Sequence, residues 1–519
     1  MKNKYLSYIK NILLPCIVFS SIAGILTGIA IFLFDFACHH VIAASNTAYN
    51  FIRENPLFLP LLIICAGILG LISARLLKYE KNCRGGGIPT SVAILRGLIS
   101  FNWLRNIIVL FFSAMCTYLC GIPLGSEGPS VQMGTAVGRG TVKMFPKKHL
   151  AWNKYIMTSG ACAGFACATG APISGIFFAF EEAHRRFSPM IIMAATSSVS
   201  FASVTTNLLC QVFNEEAALF DILILPSLPL KYLFLSVVIG IVCGLLSGAF
   251  TKIYSKVNVV LTTKLASLPF TLKMISIFAL VAIIGFFFSD ALGSGHSLIE
   301  RLLHDSTVSY TIIFILLIRV VLLIFANNIG VTGGLFVPTL TFGAIVGSVL
   351  SRTFVLFGIC DESFSTVIVV LSIASFLSAF VQTPITSIIF SIEVLGAINN
   401  VLPLIVAVII SYITIEITPV QCMYETVIEA KTKEAHKDKT PYFIEEEIEV
   451  KKGAFIIGKE SRDILWPINC VVVSVKRNSL HSPSFLKIDE GDVLKIHAKT
   501  YNKEKTLEEI YAITGNIPE

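Results

Sequence analysis

The sequence predicts an all-α polytopic membrane protein with a small α+β domain at its C-terminal end. Three observations carry that expectation. Only 14% of the 519 residues are charged and 55% are hydrophobic, whereas an average soluble protein has about a quarter charged residues. The apolar residues gather into the runs 11–34, 57–74, 106–122, 154–180, 228–250, 272–289, 310–326, 364–382 and 401–417, each near or above the ~20 residues that a helix needs to cross hydrocarbon. After Glu425 the composition changes to a charged stretch and then a soluble pattern.

The first run follows Lys2, Lys4 and Lys10 and ends at Asp35-Phe36 without a small-residue cleavage pattern. It is too long for a signal peptide and is expected to be the first membrane helix, with its basic start in the cytoplasm. Three later segments combine glycines with a proline: "RGGGIPTS" (84–91), "GSEGPS" (125–130) and "GGLFVPT" (333–339). Proline suits a first helical turn and glycine lets the backbone approach a ligand, so each segment is expected to start a helix inside the membrane.

The membrane part repeats itself. "GSEGPSVQMGTAVG" (125–138) matches "GLFVPTLTFGAIVG" (334–347), with Gly125, Pro129, Gly134 and Gly138 falling on Gly334, Pro338, Gly343 and Gly347. "APISGIFFAFEE" (171–182) then matches "TPITSIIFSIEV" (383–394) in the same order. Two homologous halves characterise transporters whose substrate site lies between them. Between the blocks, Lys143, Lys147, Lys148 and Lys154 precede segment 155–184, and Arg185 and Arg186 follow it. Both ends are therefore expected on the cytoplasmic side, and the break at "TGAP" makes the segment dip in and return.

Past Glu425, "AKTKEAHKDKT" is expected to be a linker. "FIIG", "CVVVSVKR" and "VLKIHA" are expected to be strands, with a turn at "PSFLKIDEGD" and a closing helix at "EKTLEEIYAIT". The Glu490-Gly491-Asp492 turn suits hairpin chemistry better than a metal. The expected domains are 1–428 in the membrane, a linker at 429–441 and a soluble domain at 442–519. Thirteen scattered cysteines fit small core residues in a reducing compartment, and the net charge of +7 fits basic cytoplasmic loops without a nucleic-acid partner.

Helix starts carry unpaired N–H groups and about half a positive charge, which suits an anion. Three starts could converge on one anion without a buried lysine or arginine, whose full charge would be expensive and would hold the anion too tightly. Two acids break the repeat: Glu127 matches Phe336, and Glu182 matches Val394, whereas Glu181 matches Glu393. Glu181 and Glu393 are expected to be structural, satisfying backbone groups at a helix end. Glu127 and Glu182 are candidates for function, because an intramembrane carboxylate is costly to keep.

"GGGIP", "GSEGP" and "GLFVP", in this order and spacing, resemble the signature motifs of the CLC family of chloride channels and proton/chloride antiporters. The resemblance covers about residues 15–428. It implies two inverted repeats of tilted and broken helices, and a homodimer with one pore per subunit. In the motif positions Gly85, Gly86, Gly87, Ile88 and Pro89, then Gly125, Glu127, Gly128 and Pro129, then Gly334, Leu335, Phe336 and Pro338, it places Glu127 as the external gating glutamate. Glu182 would be the internal proton glutamate. The backbone N–H groups of Leu335 and Phe336 would hold the central chloride, with Gly86 beside it and the Tyr424 hydroxyl below. Gly86 stands where the family usually has serine, which bears on anion selectivity, and Ser126 stands where lysine or arginine is common.

Keeping both acids favours H+/Cl− exchange, with a passive gated anion channel of the same fold as the alternative. The C-terminal part resembles the TrkA-C type of regulatory domain, which implies dimerisation and control by a small ligand. Neither a potassium filter such as "TVGYG" nor the zinc and serine-hydrolase patterns occur, so no enzyme activity and no metal or other cofactor is expected. His184 and His296 are isolated at helix ends. The expected place is the cell membrane, multi-pass, with the N-terminus and C-terminal domain in the cytoplasm and only chloride, protons and lipid as partners besides a second subunit.

Overall fold

The computed structural model describes residues 13–85, 87–144, 151–215, 219–220, 224–304, 310–437, 439–477, 480–482 and 487–516. Eight helices form the first half: α1 (Leu14–Glu54), α2 (Leu59–Tyr79), α3 (Ile88–Leu95), α4 (Trp103–Leu119), α5 (Glu127–Lys143), α6 (Asn153–Thr169), α7 (Pro172–Phe178) and α8 (Pro189–Phe213). Eight more form the second: α9 (Leu233–Thr263), α10 (Phe270–Phe287), α11 (His296–His304), α12 (Ile312–Ile329), α13 (Phe336–Leu356), α14 (Ser365–Val381), α15 (Pro384–Leu395) and α16 (Val401–Ile417). The match is register-true: α6 and α14 both begin and both end 212 residues apart. Among the described residues nine helices are long and apolar enough to cross a membrane.

The sequence places the end of the first helix near Asp35, but α1 continues to Glu54. Nothing breaks it, since no proline follows Pro15 until Pro56, and a helix continues through polar residues until its backbone is interrupted. A further crossing, α8, falls outside the expected apolar runs because serine and threonine dilute its hydropathy. Its outward face, with Val204, Leu208 and Val212, is exposed as a lipid-facing surface would be.

Packing repeats along with sequence. Helix α5 lies on α6 as α13 lies on α14, and α1 lies on α8 as α9 lies on α16. Glycine allows this closeness: a Cβ on Gly138 would sit 2.5 Å from the Ile156 carbonyl oxygen and 2.9 Å from the Met157 Cα. The halves meet through α2 on α10 and α7 on α15. Segment 153–183 dips and returns as expected. Helix α6 ends at left-handed Gly170, α7 runs back, and a π-turn at Ala179–Ala183 closes the path. Thr158 Oγ1 near its start lies 2.7 Å from His184 Nε2 at its end. All thirteen cysteines are free, and all but Cys65 and Cys470 are buried.

Helix α17 (Met423–Ala435) leads out of the second half, and β1 (Tyr442–Glu449), β2 (Cys470–Arg477), β3 (Leu480–Ser482), β4 (Val493–Thr500) and α18 (Lys503–Thr514) form the C-terminal domain. The antiparallel sheet has the order β1-β4-β2-β3. "FIIG" is not a strand. It forms turns that bury Phe455 and Ile456, and the charged segment "YFIEEEIE" takes the edge position instead. That strand is viable because Ile444 and Ile448 face inward while Glu445 pairs with Lys495 (2.7 Å) across the ladder. Within "PSFLKIDEGD", residues 483–486 lie outside the described residues, and the turn closes at Gly491 (φ +83°).

The sheet domain docks on the first half. Lys154 donates to the Trp466 carbonyl (2.8 Å), and Tyr155 Oη meets both the Leu465 amide (3.1 Å) and the Asp463 carbonyl (3.3 Å). Ser188 also donates to Asp463 (3.2 Å), and Trp152 packs edge-on against Phe455. Both ends of the returning segment therefore face the sheet domain, as does the start of α1, where Cys16 lies within Coulombic reach of Lys459.

Candidate functional site

The three glycine–proline motifs meet at one place. Gly125 and Gly334 exchange backbone hydrogen bonds of 2.9 and 2.6 Å, an isolated antiparallel bridge between repeat-related residues. A Cβ on Gly128 would lie 2.7 Å from the Gly334 Cα and 2.9 Å from the Gly87 Cα. Gly87 adopts φ +142°, open in practice to glycine alone. Gly85 is also left-handed, against the Asn327 carbonyl, and Ile88 and Pro89 begin α3 fully buried. Pro129 and Pro338 sit in the first turns of α5 and α13. Gly86 lies outside the described residues. Gln132 ties the first motif to the second, since its Oε1 accepts from the Gly87 amide (3.0 Å) and its Nε2 donates to Asn82 and Asn106.

Helix α13 presents its N-terminus to this junction. Its internal ladder starts with the Thr339 amide bonding to the Leu335 carbonyl (3.1 Å). The amides of Leu335, Phe336 and Val337 precede that ladder and have no partner within the helix. Glu127 is 2% exposed, and its carboxylate folds back over Gly125, where the backbone amides of Glu127 and Val337 face it. Oε1 accepts a long bond from Ser126 Oγ (3.4 Å), and Oε2 has no hydrogen-bond partner. The acid thus lies against the N-terminus of the other half's helix, where partial positive charge favours an anion. Its repeat counterpart, Phe336, does something different. It packs edge-on between Phe165 and Phe390, both at 5.2 Å.

Tyr424, in the first turn of α17, is 3% exposed and its hydroxyl has no partner. It packs against Phe380 and lies within Coulombic reach of both Glu127 and Glu182. Glu182 sits in the π-turn, buried, with Oε1 unpartnered. A π-turn shifts one residue out of α-helical register and is frequent at functional sites. The sequence gives no sign of what holds it. Arg96, at the end of α3, donates to the carbonyls of Glu182 (3.0 Å) and Ala183 (3.1 Å) and to the Glu425 carboxylate (2.8 Å). Arg185 joins Glu425 at 3.2 Å. One arginine therefore links the first motif helix, the acid's turn and the tyrosine's helix.

Two chambers lie near the site, one at the Arg96–Glu425 cluster and one at the second motif. The near one, about 430 Å³ and on the side of the sheet domain, is lined by Arg96, Arg185, Gln382, Cys422 and Glu425. The far one, about 520 Å³, reaches Ser126 and Glu127. The expected structural acids form a reciprocal cap. Glu181 accepts from the amides of Ile385 (2.8 Å) and Thr386 (2.6 Å), and Glu393 accepts from those of Ile173 (2.8 Å) and Ser174 (2.9 Å). His184 bonds to Thr158, and His296 stacks on Phe220 and bonds to the Leu219 carbonyl. Three further residues shape the site, of which the sequence marks only Asp35, and that as the end of an apolar run. Tyr118 anchors the Gly125 carbonyl (2.9 Å), and buried Arg319 holds the carbonyls of Asp290, Leu292 and Gly293. The third is Asp35, in the wall of the far chamber. The charges of Arg319 and Asp35, in or at the end of apolar runs, were the signal that could have found them.

A slow cyanobacterial Cl−/H+ antiporter has a similar structure, with a TM-score of 0.73 at 22% identity over 80% of this chain and 98% of that one. A eukaryotic CLC transporter matches with a TM-score of 0.66 at 18% identity, over 82% of this chain and 75% of that one. A CLC-type fluoride/proton antiporter gives 0.65 at 21% identity, over 80% and 98%. These likenesses share the fold. The family model described as "Voltage gated chloride channel" matches residues 69–416, about two thirds of the sequence, and with the converging motifs and inverted halves this places the chain in the CLC family.

Proposed function

We propose that the protein is a secondary active H+/Cl− exchanger that moves chloride against protons across the cell membrane. The observation that carries this reading is the position of the Glu127 carboxylate, buried against the free amides of α13 with one oxygen unpartnered. Ionised, it competes with chloride for the helix N-terminus; protonated, it has no claim on those amides and yields the place. Gate and proton acceptor are then one group. Chloride would rest against the amides of Leu335 and Phe336 with the Tyr424 hydroxyl as a further donor, at no cost of a buried cation. Glu182 would pass protons to the near chamber, where Arg96 and Arg185 offset Glu416 and Glu425 and spare an entering anion net repulsion.

The near side is read as cytoplasmic, since Lys154, Arg185 and Arg186 and the docked sheet domain share it. Together with the family's usual architecture this makes a homodimer, each subunit with its own pore and each surrounded by lipid. The sheet domain would regulate transport by holding both ends of the segment that bears Glu182, with a small ligand as effector. The protein is a carrier and not an enzyme.

The test is a flux assay in proteoliposomes that records pH while chloride, nitrate or fluoride is offered. Chloride entry should drive protons outward. Glu127→Gln should lower proton flux about 100-fold or more, a loss typical of removing an essential proton-transfer group, and leave chloride moving. Chloride flux without proton movement in the parent protein would overturn the exchanger reading.

A further inference from the structure

We propose that Asp35 carries protons between the water of the far chamber and Glu127, an inference that rests on the exchanger reading above. The two acids share one chamber, with Asp35 on α1 and Glu127 at the start of α5. They lie within Coulombic reach of each other. Asp35 is half-buried, and among the described residues no hydrogen bond or ion pair to its carboxylate is found, Glu127 being its one charged neighbour. Glu127 supplies the second, independent observation, an unpartnered carboxylate oxygen buried at the end of the same chamber. A carboxylate kept at membrane depth without a partner among the described residues has no structural return there for its cost.

The surroundings decide what the chamber is for. From α1 itself Cys38 and His39 line it, from α4 Tyr118, from α6 Cys167, and from α8 Cys210 with Glu215 just beyond. His39 meets Glu215 at 3.3 Å, and across the chamber His296 meets Glu300 at 3.7 Å. No lysine or arginine lines it among the described residues. In the near chamber, by contrast, Arg96 and Arg185 balance Glu416 and Glu425. Arg319 stands behind the wall at Leu292, Gly293 and Gly295, and the four lining acids Asp35, Glu127, Glu215 and Glu300 face His39 and His296. An excess of acids concentrates protons, so the far side is suited to load Glu127 with a proton. Cys16, at the start of α1, is near the sheet domain, and Asp35 lies about 28 Å further along the helix at 1.5 Å per residue. The chamber therefore opens on the side opposite the sheet domain. The step is a plain proton transfer. Protonated Asp35 gives its proton to the Glu127 carboxylate, directly or through one water, and is reprotonated from the chamber. No other bond changes.

The experiment measures coupled exchange in proteoliposomes with the pH set separately on the two faces, for the parent, Asp35→Asn and Asp35→Glu. Asp35→Asn should slow exchange about tenfold when the far face is at pH ~7.5, less than the ~100-fold or more lost with an essential proton-transfer group, because Glu127 can still be loaded directly. The deficit should shrink to under about twofold at pH ~4.5, where Glu127 is loaded directly by abundant protons. The near-face pH profile and the proton-to-chloride ratio should stay unchanged, and Asp35→Glu should restore the parent profile. A parent-like far-face profile in Asp35→Asn, or an equal slowing at every pH, overturns the relay and leaves the exchanger reading intact. A parent protein that moves no protons overturns the exchanger reading itself.

Discussion

The two halves of the membrane domain have eight helices each in the same order, seven of the eight pairs starting 208–212 residues apart, yet they treat their acids differently. Glu181 and Glu393 occupy matching positions, and each caps the opposite half's short helix with the same two amide bonds. At the other two matching positions the halves part. Glu127 lies against free amides while Phe336 fills an aromatic slot, and Glu182 sits in a π-turn while Val394 sits in regular α15. Matched boundaries on both sides of these differences mean that the scaffold does not need Glu127 or Glu182. What is duplicated builds the junction, and what is not duplicated is free to do chemistry.

Making the halves alike is the strongest way to break this comparison. Glu182→Val copies the second half into the first. Proton flux should fall about 100-fold, the scale expected when a proton-transfer group is removed, while chloride flux and the thermal midpoint stay near the parent values. A variant that unfolds instead would show that Glu182 is part of the scaffold. The duplicated pair should behave in the opposite manner. Glu181→Ala and Glu393→Ala each remove two charge-assisted bonds to amides at a helix start, at a cost of about 2–4 kcal/mol. Thermal unfolding in detergent should show nearly equal losses, and a large inequality would mean that the caps are not equivalent.

Much of this asymmetry could be read from residue types alone, because the repeat acts as an internal control. Gly125, Gly128 and Gly334 stand out since only glycine fits where three backbones touch. What stayed hidden depends on distant parts of the chain. The π-turn has no local signal and is held by Arg96, almost ninety residues earlier, and Arg96 also bonds to Glu425 on α17. Asp35 looked like the end of a crossing, because a charge that closes an apolar run resembles a boundary until the far chamber is seen. The edge strand β1 was obscured by its glutamates, whose lysine partners lie on β2 and β4. Tyr424 became a candidate only through the family resemblance, since one tyrosine near a membrane surface is ordinary.

The sheet domain extends the contrast: it meets the first half at Trp152, Lys154, Tyr155 and Ser188, whereas on the side of the second half its described ring contact is with His436 at the end of α17, which stacks on Tyr501. Its tight turn depends on Asp492, which accepts from Arg477 Nε (2.8 Å) and Nη2 (2.6 Å) and from the Asp489 amide (2.8 Å). Burial alone would raise this carboxyl, but the bonds from Arg477 and the Asp489 amide outweigh it and hold it below the ordinary aspartate value. A depressed value means that the contribution to stability is present at neutral pH and is lost as the pH falls through the folded-state value. Arg477 is partly exposed, so the effect is small. Asp492→Asn should cost about 1 kcal/mol after solvent screening and lower the sheet domain's thermal midpoint by about 5 °C. Tryptophan fluorescence can report the change, since Trp152 and Trp466 lie on the two sides of the docked face. The difference between parent and variant should close as the pH falls below about 4, where the parent loses the same bonds. A difference that persists at low pH would mean that the asparagine disturbs packing and not charge, and the turn would then be held by shape alone.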